Sequence, residues 1–346
     1  MKHKTLGNTN LKVSEICLGT MTFGEQNTEV EAHEQLDFAT SNDVNFIDTA
    51  EMYSVPGRKE TQGNTERFIG TWLKKRAKRD DLIIATKATG PNPGLKHIRN
   101  SPNFSKKHLQ EAIEGSLSRL QTDYVDLYQL HWPERKANFF GKLGYVHDST
   151  DQWTNNIAEV LETLQEFIQE GKVRHIGISN ETAWGMMQYL NEGQKKALPK
   201  IATIQNPYSL LNRSYEVGLA EMSVRENVSL LAYSPLAFGV LSGKYLNDAQ
   251  PENARLTKYT QFSRYNNDRC AKATALYADL AKKNGMSLVQ LSLAFINQQP
   301  FVGSTIIGAT NIDQLKENIS SVEITLNNEI INGLNEINEI YTYPAP

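Results

Sequence analysis

Apolar residues follow two rhythms along this chain, short unbroken runs and three-to-four-residue spacings, and the two alternate from end to end. A short run rich in β-branched and aromatic residues predicts a buried strand, and apolar positions at i, i+3 and i+4 predict a helix with one apolar face. Strands are predicted at Ile16–Leu18, Val44–Asp48, Leu82–Lys87, Tyr124–His131, Val173–Ser179, Ile201–Gln205, Val228–Tyr233 and Ser304–Ile307. Two extended runs around the turn cluster Gly7-Asn8-Thr9-Asn10 predict a hairpin ahead of the first strand. Helices are predicted from about Thr28, with Ala32, Leu36 and Ala39 on one face, and over about 64–76 from Asn64. Another follows a Ser105 cap, carrying Leu109, Ile113, Leu117 and Leu120, and one spans 155–170 before Gly171. Further helices are predicted over 182–190, 214–226, 269–283 and 287–298, from Ile312, and near 327–340. Strands that alternate with helices are parallel and joined by crossovers. Eight such units over roughly 250 residues or more match a closed (β/α)8 barrel. A doubly wound open sheet is disfavoured, because no Gly-x-Gly-x-x-Gly follows any of the runs. The expected architecture is α/β: one TIM-barrel domain over 1–346, with an N-terminal hairpin, extra C-terminal helices and long loops at 133–151 and 234–266.

Composition narrows the function class. A chain of 346 residues with 39% apolar and 22% charged residues has the make-up of a globular protein. A net charge of −3 offers no basic field for nucleic acid or an anionic membrane. Cys17 and Cys270 match no metal or redox spacing and read as two reduced thiols. The start has no apolar signal-like region, and no run approaches the roughly 18 apolar residues of a membrane span. These features predict a cytoplasmic protein without nucleic-acid or membrane partners, and leave its oligomeric state open.

In such a barrel the chemistry lies at the C-terminal ends of the strands. Asp48, Lys87 and His131 end three consecutive predicted strands, and Tyr53 follows Asp48 by five residues. Neighbouring strands lie about 4.8 Å apart, so the four side chains can converge. Singly, each has a plain structural explanation: a loop cap, a solvated strand end, a core histidine. A carboxylate is costly inside a core, so Asp48 is expected where its strand emerges. Tyrosine alone is a poor acid, with a pKa of about 10, and a neighbouring ammonium is expected to lower it.

Asp48-Thr49-Ala50-(x)2-Tyr53, Ile83-Ile84-Ala85-Thr86-Lys87 and Leu127-Tyr128-Gln129-Leu130-His131 resemble the Asp/Tyr/Lys/His tetrad of the aldo-keto reductases. The likeness continues through Gly177–Asn180, Gln205–Leu211, Tyr233–Leu236 and Gly308-Ala309-Thr310-(x)3-Gln314-(x)3-Asn318. The ending Tyr-Thr-Tyr-Pro-Ala-Pro at 341–346 resembles that of the bacterial Tas-like members. The resemblance implies an oxidoreductase that reduces a small-molecule carbonyl with NADP(H), with Tyr53 as proton donor, Lys87 and Asp48 supporting it, and His131 on the carbonyl oxygen. It places Ser179, Asn180 and Gln205 on the nicotinamide carboxamide and Tyr233 against the nicotinamide ring. Ser234, Pro235, Leu236, Ala237, Phe238, Gly239, Val240, Leu241, Ser242, Gly243 and Lys244 resemble the loop around the pyrophosphate. Gly308, Thr310, Gln314, Glu317 and Asn318 resemble the adenosine end, and Arg264 is a candidate for the 2′-phosphate, a contact that would favour NADPH over NADH. The segment 54–63 and the loop 133–151 are longer than in shorter members and are expected at the mouth of the site. Two other readings share these residues: a nucleotide-sensing subunit on the same barrel, as in the potassium-channel β subunits of this family, and a barrel aldolase with Lys87 as Schiff-base nucleophile.

Overall fold

The computed structural model describes residues 1–345; Pro346, the last residue of the ending at 341–346, lies outside them. A hairpin of β1 (His3–Thr5) and β2 (Lys12–Ser14) leads into a closed barrel of eight strands. These are β3 (Ile16–Gly19), β4 (Phe46–Asp48), β5 (Ile83–Ala88), β6 (Val125–Leu130), β7 (Val173–Ser179), β8 (Thr203–Pro207), β9 (Ser229–Tyr233) and β10 (Val302–Ile307). Each pairs in parallel with the next, and β10 pairs with β3 to close the ring. Eleven α-helices accompany them among the described residues: α1 (Glu29–Ser41), α2 (Asn64–Leu73), α3 (Lys106–Leu120), α4 (Ile157–Gln169), α5 (Ala183–Lys196), α6 (Leu219–Glu226), α7 (Arg255–Lys258), α8 (Asp268–Lys283), α9 (Leu288–Asn297), α10 (Ile312–Ser320) and α11 (Asn328–Ile340). The architecture is the (β/α)8 barrel that the alternating rhythms predict.

The apolar residues separate into two layers. Inside the barrel, Cys17, Phe46, Ile83, Ala85, Leu127, Leu231 and Ile306 pack with Leu6, Leu11 and Val13 of the hairpin. The hairpin therefore closes the N-terminal end and leaves the C-terminal end for chemistry. Outside, the helices cover the strands in one continuous apolar layer from Ile16 to Ala345.

Local chemistry accounts for where elements end. Thr28 and Glu31 form a reciprocal capping box at the start of α1. Ser105 precedes α3 but its side chain caps nothing. Helix α2 begins after Gly63 and stops at Leu73, short of the expected 76. Glu66 in its first turn is buried, accepting from Thr86 and pairing with Arg119 at 2.7 Å. Helix α5 runs on to Lys196 instead of ending at 190. The predicted helix 214–226 is broken at Gly218, with a single 3-10 turn before it. Strand β4 starts at Phe46, two residues later than the apolar run implies: the Val44 N–H is bound to the Ala39 carbonyl and the Asn45 N–H to the Ser14 hydroxyl.

Helices α2 and α3 cross so closely that a Cβ on Gly70 would lie 2.2 Å from the Arg119 carbonyl oxygen. Alanine is the better helix former by about 1 kcal/mol, but overpacking against backbone typically costs about 1–3 kcal/mol and leaves no flexible neighbour to yield. Gly70→Ala is therefore expected to destabilise the fold. Urea unfolding of the variant should show a lower midpoint at unchanged slope; an equal or higher midpoint would show that the helices separate freely.

Candidate active site

Asp48 is the last residue of β4 and lies opposite Ala85 of β5, so Lys87, two residues on, points to the same inner side. The ammonium of Lys87 meets Asp48 Oδ2 at 2.6 Å and donates to the Thr49 carbonyl at 2.7 Å. Neither residue is a solvated strand end: Lys87 is fully buried and Asp48 is 2% exposed. Asp48 lies, as expected, where its strand ends at the cavity, and its partners neutralise it there although it is almost fully buried. Its other oxygen accepts from Gln129 Nε2 at 3.2 Å and Gln205 Nε2 at 2.9 Å. Gln129 carried no signal in the sequence beyond its place one pleat before His131. It fits because Gly177 stands opposite on β7, where a Cβ would come within 3.2 Å of the Gln129 side chain.

Tyr53 lies over this pair. The Lys87 ammonium sits 4.9 Å from the centroid of its ring, and the His131 ring packs edge-on at 5.8 Å. His131 follows β6 directly, held by its N–H on the Ala88 carbonyl at 2.9 Å. Between Asp48 and Tyr53, Glu51 is buried and accepts both guanidinium nitrogens of Arg99, at 2.5 and 2.7 Å, together with the Thr89 N–H. That pair fixes the backbone carrying Tyr53, and nothing in the spacing of Arg99 pointed to it.

Burial and charge set the protonation states. Burial opposes the Lys87 charge, but the carboxylate of Asp48 and the phenol of Tyr53 more than offset it, and its pKa lies above the ordinary lysine value. Burial also pushes the Tyr53 phenol up; Lys87 pulls the other way and Asp48 adds to the rise. The net direction is therefore the reverse of the lowering expected from Lys87 alone, because burial outweighs an ammonium that Asp48 in part offsets. Burial, and then the Lys87 charge, hold His131 well below the ordinary histidine value, so its imidazole is neutral. Its Nδ1 has no hydrogen-bond partner among the described residues.

Tyr53, Asp48 and His131 open into a cavity of about 1120 Å³, with Lys87 behind them. Of the residues placed on the nicotinamide, Asn180, Gln205 and Tyr233 line it, whereas Ser179 turns inward and donates to the Gln205 carbonyl at 2.8 Å. Asn180, in the left-handed region with φ 53°, accepts from the Tyr233 hydroxyl at 2.6 Å and donates to the His131 carbonyl at 2.9 Å. From the following loop Ser234, Pro235, Leu236, Phe238, Gly239, Ser242 and Lys244 line the cavity. Ala237, Val240 and Leu241 put their side chains in the core, and Gly243, φ 78°, ends the 3-10 turn. Left-handed φ values at Ser234, Ala237, Phe238 and Gly239 curl this backbone into a concave turn, a shape that suits anions. Gly308, Thr310, Gln314, Glu317 and Asn318 line the far end. There Gln314 Oε1 accepts from the Thr310 N–H at 3.0 Å and Asn318 is buried against the Gly308 carbonyl.

Arg264 lines the cavity as well. It lies beside the Tyr233 and Tyr265 phenols, and a Cβ on Gly141 would stand 3.1 Å from its Nε. The cations beside the curled loop are Lys244, whose Nζ is 2.8 Å from where a Gly239 Cβ would be, and Arg255, which the sequence reading missed. Arg255 sits over the Phe238 ring at 5.3 Å, and burial together with Arg255 holds the Lys244 pKa down. Lys244, Arg255 and Arg264 make no ion pair with any described residue. Of the segment 54–63 only Val55 reaches the cavity; Ser54 is tied to Phe23 and Arg58 to Glu25. Of the loop 133–151 only Phe140 and Gly141 do. No group of His, Cys, Asp and Glu among the described residues could hold a metal, and none of their helices is long and apolar enough to cross a membrane.

A model of the Aldo/keto reductase family matches residues 15–339. The chain belongs to the aldo/keto reductase family. It is 51% identical to Protein tas of Escherichia coli over the whole of both chains. It is 32% identical to the uncharacterized oxidoreductase YrpG of Bacillus subtilis, over all of this chain and 97% of the relative. A probable voltage-gated potassium channel subunit beta of Arabidopsis thaliana is 30% identical, over 94% of this chain and 92% of its own. As a member of the aldo/keto reductase family the protein is an oxidoreductase.

The electrostatics can be tested without substrate. At pH near 6.5, where free imidazole is half protonated, the ring nitrogens of His131 should read as neutral by NMR. Replacing both members of the buried pair, Asp48→Asn with Lys87→Met, removes the cation and should move the His131 titration upward, though still below the free value because burial remains. A wild-type His131 protonated at that pH would contradict the account.

Proposed function

We propose that this protein reduces the carbonyl of small aldehydes or ketones to alcohols with NADP(H), in the cytoplasm. The observation that carries the reading is the Tyr53 phenol, which faces the cavity over the buried Lys87–Asp48 pair and against a neutral His131. The rest of the cavity fits a dinucleotide: a tyrosine face and two amides at one end, a curled backbone with unpaired Lys244 and Arg255 beyond, and Thr310, Gln314 and Asn318 at the other end.

When bound, reduced nicotinamide supplies the hydride to the carbonyl carbon. Tyr53 gives its proton to the carbonyl oxygen, and Lys87 stabilises the tyrosinate left behind until solvent in the cavity restores the proton. Neutral His131 offers Nε2–H to the same oxygen. Asp48 keeps Lys87 charged. The amides of Asn180 and Gln205 would hold the carboxamide, Tyr233 would stack on the ring, and Lys244 and Arg255 would hold phosphate oxygens. General acid catalysis of this kind contributes typically about 10²–10⁴-fold. A Schiff-base role for Lys87 is opposed by its position: buried, protonated and bound to Asp48, it has no free lone pair. A second reading, a nucleotide-binding subunit with little turnover, is supported by the similarity to the channel-subunit relative.

Tyr53→Phe removes one hydroxyl and keeps the ring. Its kcat for aldehyde reduction should fall at least about a hundredfold while NADPH affinity holds. Lys244→Met and Arg255→Met should each weaken NADPH about tenfold or more, hydrogen bonds to charged groups being worth roughly 1.5–3 kcal/mol. Fluorescence titration and steady-state kinetics measure both. Full turnover in Tyr53→Phe would remove Tyr53 as the acid, and a wild type that binds NADPH yet reduces no aldehyde would favour the second reading.

A further inference from the structure

The chain that leaves β4 runs from Asp48 to Tyr53 and passes over the end of β5, and its ties to β5 are few. The Thr49 N–H donates to the Ala85 carbonyl at 2.9 Å, and the Glu51 N–H reaches the Lys87 carbonyl at a long 3.3 Å. The Glu51 side chain supplies the stronger tie. One carboxylate oxygen accepts from the Thr89 N–H at 2.5 Å and from Arg99 Nη2 at 2.7 Å, and the other accepts from Arg99 Nη1 at 2.5 Å. Gln62 donates to the Glu51 carbonyl at 2.6 Å, so this residue is held by both its side chain and its backbone. Thr89 lies two residues beyond Lys87, so Glu51 fastens the Tyr53 segment to the chain just past the ammonium.

Arg99 is itself held in place. It belongs to the loop between β5 and α3, where the Trp132 indole N–H donates to the Pro91 carbonyl at 3.0 Å and Leu95 is buried. Asn92 caps a 3-10 turn in the same loop through the Gly94 N–H at 2.8 Å. A Cβ on Gly90 would lie 2.6 Å from the Trp132 indole, so this loop has no slack against its neighbour. The Glu51 and Arg99 side chains are 2% and 8% exposed, and neither lines the cavity. Replacing a buried ion pair by apolar residues of similar volume is often neutral or stabilising, so stability alone gives little reason for this one. What it supplies is geometry, because a planar guanidinium meets a carboxylate bidentately in a fixed orientation.

We propose that the Glu51–Arg99 pair is a positioning element for proton transfer, holding Tyr53 over the Lys87 ammonium. The inference rests on the reductase reading above and adds how its acid is kept in place. The groups that face the phenol are Lys87 of β5, Asp48 of β4, Arg255 of α7 and neutral His131 after β6. Glu51 and Arg99 are not among the charges that act on it, so the pair works on Tyr53 through geometry. Lys87 is the strongest of the charges that pull the phenol down. A Tyr53 segment that drifts from Lys87 loses that pull, and the phenol rises further. Protonated Tyr53 is the active form in reduction, and tyrosinate is the active form in the reverse oxidation. The alkaline fall of reduction and the alkaline rise of oxidation therefore both move to higher pH.

The test uses two variants. Arg99→Lys keeps the charge and loses the fork, and Glu51→Gln combined with Arg99→Gln leaves no buried charge unpaired. With benzaldehyde and NADPH, kcat should fall about tenfold in Arg99→Lys and about a hundredfold in the double variant, since a misplacement of about 1 Å can cost about 10²-fold. NADPH affinity, read by fluorescence titration, should hold. The pH profiles of benzaldehyde reduction and of benzyl alcohol oxidation should both shift upward, further in the double variant than in Arg99→Lys. Crystal structures of the variants give a readout apart from turnover: the Lys87 ammonium should stand farther than 4.9 Å from the Tyr53 ring centroid. Melting curves establish that the variants are folded, and if the double variant does not fold, Arg99→Lys carries the test. Unchanged kcat in the folded variants, a lower kcat with unmoved pH profiles, or a matching loss of NADPH affinity overturns the inference and leaves the reductase reading standing. If the wild type reduces no carbonyl the reductase reading itself fails, and the crystal structures still decide whether the pair holds Tyr53 over Lys87; an unmoved ring overturns that.

Discussion

An ammonium group enclosed in a parallel barrel has to be neutralised where it stands, and that requirement organises the C-terminal end of this protein. Lys87 is fully buried, and its charge is matched by Asp48 at 2.6 Å and by the Thr49 carbonyl at 2.7 Å. Both carboxylate oxygens of Asp48 are used, one by Lys87 and the other by Gln129 and Gln205. The network therefore joins β4, β5, β6 and β8 and fixes their register at the level where chemistry is proposed. Removing one member of such a pair strands the other charge and typically costs about 3–5 kcal/mol. With the pair in place, Tyr53 and His131 are surrounded by fixed charge, and burial can hold one phenol protonated and one imidazole neutral. The opposite end of the barrel is closed by Leu6, Leu11 and Val13 of the hairpin, so access to this network is from one side.

Much of this was legible in the sequence because the signals were local. Parallel strands buried on both faces read as short apolar runs, and the alternation of runs with helical spacings is the barrel itself. The same alternation put Asp48, Lys87 and His131 at strand ends, and the structure brings them and Tyr53 together. Failures arose where burial decides the outcome. Asp48 ends its strand at the cavity as expected, but its near-complete burial was not legible, because the three donors that allow it come from distant positions. Tyr53 reads as a phenol lowered by its lysine, yet burial outweighs an ammonium already matched by a carboxylate.

Loops were less legible because their contacts depend on where the chain returns. Arg264 and Arg255 are both lone arginines in the 234–266 segment, and only the fold shows that Arg255 joins Lys244 while Arg264 meets Gly141 and Tyr233. Phe140 is one aromatic among several in a polar loop, and its contact with Trp132 is what makes it a wall of the cavity. The buried Glu51–Arg99 pair, which holds the backbone before Tyr53, joins residues whose spacing carries no periodic signal. The segment 54–63 shows the converse. It was expected at the mouth, but only Val55 lines the cavity, while Ser54 is bound to Phe23 and Arg58 to Glu25.

The central claim is that one cavity holds a reduced nicotinamide with a single face turned toward a carbonyl poised at Tyr53. Tyr233, fixed by its hydroxyl on Asn180, is the residue proposed to cover the other face. The most direct measurement uses NADPH deuterated stereospecifically at the transferable position, with the label followed into the alcohol by NMR. The account predicts that label on one face of the ring is transferred to the carbonyl carbon and label on the other face is retained in the oxidised nucleotide. Transfer from both faces, or an alcohol formed without the label from either, would contradict it.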